Sequence, residues 1–397
     1  MLEVAGHRIL AWEGGLAFVI AAVVVALATT PLAMRLAWRL GVLDQPGGRR
    51  IHQQPVPLLG GLGIVAGILL AAIPLIDLET RYVALFAGAV LIALVGAIDD
   101  WRGLPPWLKL LGQVGCAVLP VWAGIRIEKV TVPVLLGDGI DLAWLGYPLT
   151  VVFIVAVANI VNFADGMDGL AAGMCAIAGL SFAILATSLY RYDAAIVFAA
   201  VAGACVGFLR WNFHPARIFM GDSGALPLGF LLAALSVQGV VKTSAALALV
   251  FPLLVLLVPI LDTSFVILKR LKYRQPISSP DRNHFHHRLL EIGYSQRRAA
   301  VLLYLWCAVL AAFAMAARFF RYRTQGEWHV APTVGLSAFA LVALAVSAYV
   351  VYALEILKYR HLRMVGIARS AEVADDVPVV VERRRRRDAA DVSAAAR

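Results

Sequence analysis

Apolar runs of roughly 20 residues recur along this chain, broken by short polar stretches. They are apolar on all sides, not along one stripe, and about 20 residues is the length a helix needs to cross the bilayer hydrocarbon. The pattern predicts about eleven spans, at 15–34, 58–76, 82–98, 107–124, 147–163, 168–190, 193–211, 222–240, 245–268, 298–317 and 331–356. Only a short polar hinge separates the fifth from the sixth. Residues 126–141 differ: Ile, Val and Leu alternate with polar residues around Gly137-Asp138-Gly139, which predicts a small external β-hairpin. No repeat of fixed period is evident. The expected fold is therefore an all-α polytopic membrane protein.

Composition agrees with that pattern. The 397 residues are 61% hydrophobic and 15% charged, with mean hydropathy +0.82. A soluble domain needs a fuller polar coat, and a very large soluble core would still show amphipathic helices. Cys116, Cys175, Cys205 and Cys307 all fall inside apolar runs and none forms a C-x-x-C pair, so they read as small buried side chains, neither disulfides nor metal ligands. The stretch before Leu16 carries Glu3, Glu13 and a single arginine, Arg8. It lacks the basic start of a cleaved signal peptide, so the first helix is expected to be retained.

Charge sets the expected orientation. Loops after odd-numbered spans hold Arg35, Arg39, Arg49, Arg50, Arg102, Arg210, Arg217, Lys269, Arg270, Lys272, Arg274, Arg282, Arg288, Arg297 and Arg298. Loops after even-numbered spans hold few. Translocation disfavours Lys and Arg, so the odd loops and the C-terminus are expected to face the cytoplasm across the plasma membrane. The chain divides into a membrane domain, 1–364, and a basic tail, 365–397. The run Arg383–Arg387 in that tail reads as solvated and disordered, with contact to anionic headgroups as the alternative.

An ionisable group inside a bilayer is costly, so such residues mark function or the water boundary. Five polar clusters stand out: Asp44–His52, Asp99–Lys109, Asn159–Asp168, Asn212–Asp222 and Asp281–Arg288. Each lies in or beside an odd-numbered loop, which points to one cytoplasmic cleft.

Asp99 and Asp100 end an apolar helix. Adjacent carboxylates repel unless a cation or proton separates them, and hard oxygens suit Mg²⁺; a solvated helix end is the alternative. Lys109 pairs with a phosphate or snorkels to the interface. Asn159, Asn162, Asp165 and Asp168 recur every third residue until Gly166 and Gly169 break the helix and leave backbone groups open to a ligand. Capping accounts for one of the acids, not for all four groups. Asp222, flanked by Gly221 and Gly224, caps the next helix or holds a metal. His284, His286 and His287, with Arg282 and Arg288, could bind zinc or donate to phosphate oxygens. Imidazole is a poor ligand for Mg²⁺.

Together these residues resemble the polyprenyl-phosphate N-acetylhexosamine-1-phosphate transferases, in the bacterial branch that loads N-acetylglucosamine-1-phosphate onto undecaprenyl phosphate. The resemblance covers roughly residues 30–310. It rests on DQPGGRRIHQQPVPLLGG, AIDD, the Lys109-to-Gln113 spacing, NIVNFADGMDGL, FMGDSG and HFHHRL, in that order. The resemblance implies a helical bundle with a cytoplasmic active-site cleft, Mg²⁺ (or Mn²⁺) as cofactor and release of UMP. By the same resemblance, Asp99 and Asp100 match the catalytic pair, and Asp222 with Asn162 the metal ligands. Lys109 matches a diphosphate contact and Asp168 the uracil contact. His284, His286 and His287 match a motif that handles phosphate or sugar. Asn159, Asp165, Arg282, Asp44, Arg50 and His52 complete the expected substrate-binding set. The H-x-H-H form favours this branch over the muramoyl-pentapeptide branch. Arg50 stands where Lys is usual, which keeps the charge. Ala225 stands where Ser is common, with Pro227 following, which alters fine contacts near the metal.

The implied partners are a UDP-sugar, undecaprenyl phosphate and the bilayer, without nucleic acid; a homodimer is allowed. The implied product starts a cell-envelope glycan. Two rival readings remain at this point. A polyprenyl-lipid transporter or flippase would need polar groups at mid-bilayer or on both faces. A zinc-dependent intramembrane hydrolase would use the three histidines, but H-E-x-x-H is absent.

Overall fold

A computed structural model describes residues 2–4, 7–9, 11–46, 54–130, 140–238, 254–272, 285–291, 293–319, 323–324 and 327–353. The helices are α1 (Ala11–Leu40), α2 (Gly60–Ala72), α3 (Thr80–Arg102), α4 (Pro106–Trp122), α5 (Gly146–Ala164), α6 (Leu170–Ser188), α7 (Tyr192–Asn212), α8 (Asp222–Ser236), α9 (Leu257–Lys272), α10 (Phe285–Glu291), α11 (Gln296–Phe319) and α12 (Val330–Ala353). The chain divides at Val350 into two units, and of the second only the end of α12 is described. The expected basic tail lies outside the described residues.

Among the described residues, seven helical segments are long and apolar enough to cross a bilayer. They coincide with the first, third, fifth, sixth, seventh, tenth and eleventh predicted spans. Among the described residues the other four predicted spans fall on shorter helices, α2, α4, α8 and α9, so the count of eleven is not confirmed. The reason is clearest for α8. From Ser223 to Ser236 its residues are all buried, enclosed mainly by α2, α3 and α5. A helix walled in by protein is apolar because of its neighbours and need not match the thickness of the lipid. The predicted hairpin is present at its base, where Lys129 pairs with Asp141 and Val130 with Ile140; residues 131–139 lie outside the described set.

Small residues let the helices approach closely. A Cβ on Gly203 of α7 would lie 2.3 Å from the Val19 carbonyl oxygen of α1, and one on Gly229 of α8 would lie 2.6 Å from Cα of Ala158 in α5. Lipid tails give helices no hydrophobic reason to associate, so such close backbone packing supplies the dispersion that holds a membrane bundle together. A side-chain bond adds to it: Thr29 Oγ1 donates to the Gly63 carbonyl, 2.8 Å away, tying α1 to α2. The four cysteines are free and buried, as their apolar surroundings lead one to expect.

Aromatic residues mark both ends of the bundle. Trp38, Trp101, Trp107 and Trp211 sit at the ends of α1, α3, α4 and α7 nearest the polar clusters, and Arg102 stacks 4.4 Å over Trp101. Trp122, Trp144, Tyr190 and Tyr192 occupy opposite ends. Amphipathic rings favour the headgroup level, so these belts are consistent with a multi-pass membrane protein.

Candidate active site

The loop between α7 and α8, FHPARIFMG in sequence, is held from three sides. The segment Val56–Gly61 clamps it through the backbone: Phe219 N donates to Pro57 O (2.9 Å), Gly60 N to Phe219 O (3.0 Å) and Gly61 N to Met220 O (2.9 Å). This gives the PVPLLGG stretch a structural task. Gly61 and Gly224 touch so closely that a Cβ on Gly61 would lie 2.0 Å from Gly224 N.

Asp100 holds the second side. Its Oδ1 accepts from Asp222 N at 2.9 Å and its Oδ2 from Ser223 N at 3.0 Å. A helix start leaves amides unpaired and carries partial positive charge, so a carboxylate there is favoured twice over. The cap of α8 thus comes from the end of α3. Asp222 makes no capping bond of its own, and Gly221 occupies the cap position with φ +66°. Glycine is required there: a Cβ would lie 2.5 Å from Asp100 Oδ2.

With its backbone fixed, the Asp222 carboxylate points at α4 and α5. Its Oδ1 accepts from Asn162 Nδ2 at 2.6 Å, and its Oδ2 pairs with Lys109 Nζ. The same ammonium reaches Asp99 Oδ2 at 2.9 Å and Asn162 Oδ1 at 3.5 Å. Asp99 is itself anchored by Leu104 N, which donates to Oδ1 at 2.5 Å. Asp165 lies just past the end of α5, close to this group. Burial pushes its carboxyl well above the ordinary range; Asp222, Asp100 and Asp168 push the same way, and the Gly221 amide pulls back. Asp165 thus shares its surroundings with three other acids.

Asp168 builds the third side. Its Oδ2 meets His214 Nδ1 at 2.7 Å and accepts from Ala216 N at 3.1 Å. Buried Asn212 ties the same two loops together, accepting from Gly169 N (3.0 Å) and donating to Ile218 O (2.9 Å). From α11, Tyr304 donates to Gly169 O (2.5 Å) and Arg297 to His214 O (2.9 Å).

These groups surround a cavity of about 980 Å³, whose wall includes Trp38, Asp44, Asp100, Asn162, Asp165, Asp168, His214, Phe219, Asp222 and His287. All five polar clusters reach it through described residues, the fifth through His287. Asp99 and Lys109 stand behind Asp222, outside the wall. Asn159 also lies outside it and exchanges amide bonds with Gln113 at 2.6 and 3.3 Å. Arg50, His52, Arg282 and His284 lie outside the described residues, as does the side chain of His286.

Three contributors had no role assigned from the sequence. Asn212, the last residue of α7, and His214 fall inside the Asn212–Asp222 cluster, but no periodicity sets them apart within it. Asp262 is a buried acid inside the apolar run VPILDTS; its Oδ1 accepts from Phe285 N at 2.8 Å and so anchors the start of α10, the helix of the histidine motif. Its cost in an apolar run was the available signal.

Among the described residues no three acidic, imidazole or thiol groups form a ready-made metal cage. Mg²⁺ does not require one: it takes one or two protein oxygens, keeps waters and accepts substrate phosphates. The hard oxygens of Asp222 and Asn162, beside further carboxylates of Asp99 and Asp100, fit that habit.

Residues 82–240 match the family described as glycosyl transferase family 4. A Bacillus subtilis (strain 168) protein named probable undecaprenyl-phosphate N-acetylglucosaminyl 1-phosphate transferase is 40% identical over 295 residues, covering 72% of this chain and 81% of its own. The decaprenyl-phosphate N-acetylglucosaminephosphotransferase of Mycobacterium tuberculosis (strain ATCC 25618 / H37Rv) is 37% identical over 336 residues, covering 76% and 82%. The phospho-N-acetylmuramoyl-pentapeptide-transferase of Desulforudis audaxviator (strain MP104C) is 33% identical over 328 residues, covering 76% and 96%.

Proposed function

The chain belongs to glycosyl transferase family 4, whose members include enzymes that move a sugar-1-phosphate onto a polyprenyl phosphate, and from that premise we propose that it transfers N-acetylglucosamine-1-phosphate from UDP-N-acetylglucosamine to undecaprenyl phosphate, releasing UMP. The higher identity to the N-acetylglucosamine enzymes than to the muramoyl-pentapeptide enzyme supports the choice of sugar. One observation carries the reading: Asp100, Asn162 and Asp222, from α3, α5 and α8, line a cavity large enough for a nucleotide sugar, with Asp99 and Lys109 packed directly behind Asp222.

An oxygen of the acceptor phosphate attacks the phosphorus that carries the sugar. A new P–O bond forms, the bond to the bridging oxygen breaks, and that oxygen leaves with UMP. A phosphate monoester has a second pKa near about 6, so the acceptor is largely dianionic at neutral pH and needs little help losing a proton. Both reactants are anions, and their repulsion is the main obstacle. Asp222 and Asn162 would hold Mg²⁺, which supplies the positive charge that draws the two phosphates together and steadies the leaving group. Lys109 meets the diphosphate. Asp99 fixes the position of Lys109 and Asp100 that of the α8 start. Asp168, locked by His214 and the Ala216 amide, faces the nucleobase. His287 lies on the wall where phosphate or sugar is handled.

The bundle sits in the plasma membrane with the cavity toward the cytoplasm. Arg35, Arg39, Arg102, Arg210 and Arg217 flank that end, which supports the orientation. A lipid can enter from the bilayer and the nucleotide from water.

The test is UMP release by purified protein across a panel of UDP-sugars, with and without Mg²⁺ and polyprenyl phosphate. Release should require all three components and vanish in Asp222→Ala. UMP release unaffected by that substitution, or none with any UDP-N-acetylhexosamine, refutes the reading.

A further inference from the structure

The Lys109 ammonium touches Asp99 Oδ2, Asp222 Oδ2 and Asn162 Oδ1 together, so it is held by three hard oxygens from three helices. A hard divalent cation would seek that same set. The Lys109 side chain is only 18% exposed, and those of Asp99 and Asp222 are 15% and 22% exposed, so water screens the group only in part. A unit charge and a double charge cannot share these oxygens at short range, because partly buried like charges repel strongly.

We infer that the Lys109 ammonium is the resident counter-ion of the metal position, competing with a divalent cation for the Asp222 and Asn162 oxygens until the donor's diphosphate draws it away. The inference rests on the reading in which Asp222 and Asn162 hold the metal. Lysine suits the exchange because its charge is a compact point on a flexible stem. With the ammonium in place, the acid cluster is partly neutralised and metal binds weakly. When a diphosphate accepts the ammonium, the oxygens are released to the cation. Metal and donor thus favour each other's binding through Lys109, over and above any direct contact between them.

The experiment measures Mn²⁺ affinity of the full-length protein by electron paramagnetic resonance, without nucleotide. Lys109→Met and Lys109→Gln should bind Mn²⁺ about tenfold tighter than wild type, equivalent to about 1.4 kcal/mol, although both lose turnover. Lys109→Arg, which keeps the charge, should stay near the wild-type affinity. The glutamine amide can still donate to the carboxylates, so it serves if the methionine variant does not fold. As a second readout, Mn²⁺ should raise the unfolding temperature of the neutral variants more than that of wild type, because tighter binding to the native state adds stability. Unchanged or weaker Mn²⁺ binding in the neutral variants overturns the inference. No Mn²⁺ binding in any variant overturns it together with the metal assignment, whereas UMP release judges the transfer reaction separately.

Discussion

Asp99 and Asp100 are neighbours in sequence but face different tasks, and stability should separate them. Asp100→Ala removes the acceptors of the first two amides of α8. A hydrogen bond to a charged group is worth about 1.5–3 kcal/mol, and a carboxylate at a helix start adds about 0.3–1 kcal/mol. Asp100 lines the cavity, so water can partly replace it, and the net loss should be about 3 kcal/mol rather than the full sum. Asp99→Ala removes one amide bond, from Leu104, and one of two carboxylate partners of Lys109, which keeps Asp222. Its loss should be about 1–2 kcal/mol. Asp100→Asn should fall between, because its carbonyl oxygen caps one amide while its NH₂ faces the other. Unfolding followed by tryptophan fluorescence in detergent would rank the three variants, with UMP release measured on each. An Asp100→Ala protein as stable as Asp99→Ala would refute the cross-helix cap.

Three further outcomes are expected. Gly61→Ala forces a Cβ to 2.0 Å from the Gly224 backbone and should sharply reduce monodisperse protein on size exclusion, whereas Gly115→Ala, which meets nothing within 4 Å, should be neutral or stabilise by up to about 1 kcal/mol; equal behaviour would contradict the packing. His214→Ala should raise KM for the UDP-sugar about tenfold with kcat nearly unchanged, and His214→Asn, whose Nδ2 can replace Nδ1 against Asp168, should recover most of it; a fall in kcat alone would place His214 elsewhere in the reaction. Asp165→Asn should stabilise the metal-free protein at neutral pH. The Asp165 carboxyl titrates above its ordinary range, so its ionisation costs stability at higher pH and that cost fades as pH falls through the raised value; the variant's advantage should therefore shrink in acid, and an advantage independent of pH would speak against charge crowding.

Much of this protein is written locally. Apolar runs longer than a hydrocarbon core dictate helices wherever the chain sits in lipid, because each unpaired backbone group there is costly. The same cost singles out Asp99, Asp100, Asn162, Asp165 and Asp222, since polar groups persist near apolar runs only for a reason. The ordered motifs then suffice to suggest the chemistry. Length and hydropathy could not distinguish α8, whose residues Ser223–Ser236 are all buried in protein, from helices that meet lipid. Nor could they assign the partners. Asp100 meets the amide of Asp222 across 122 positions, Lys109 meets the Asp222 carboxylate across 113, and His214 meets Asp168 across 46. Asn159 and Asn162 share one sequence rhythm, yet one pairs with Gln113 and the other with Asp222. Periodicity fixes which face of a helix a side chain occupies, but only the packing of separate helices decides what that face meets.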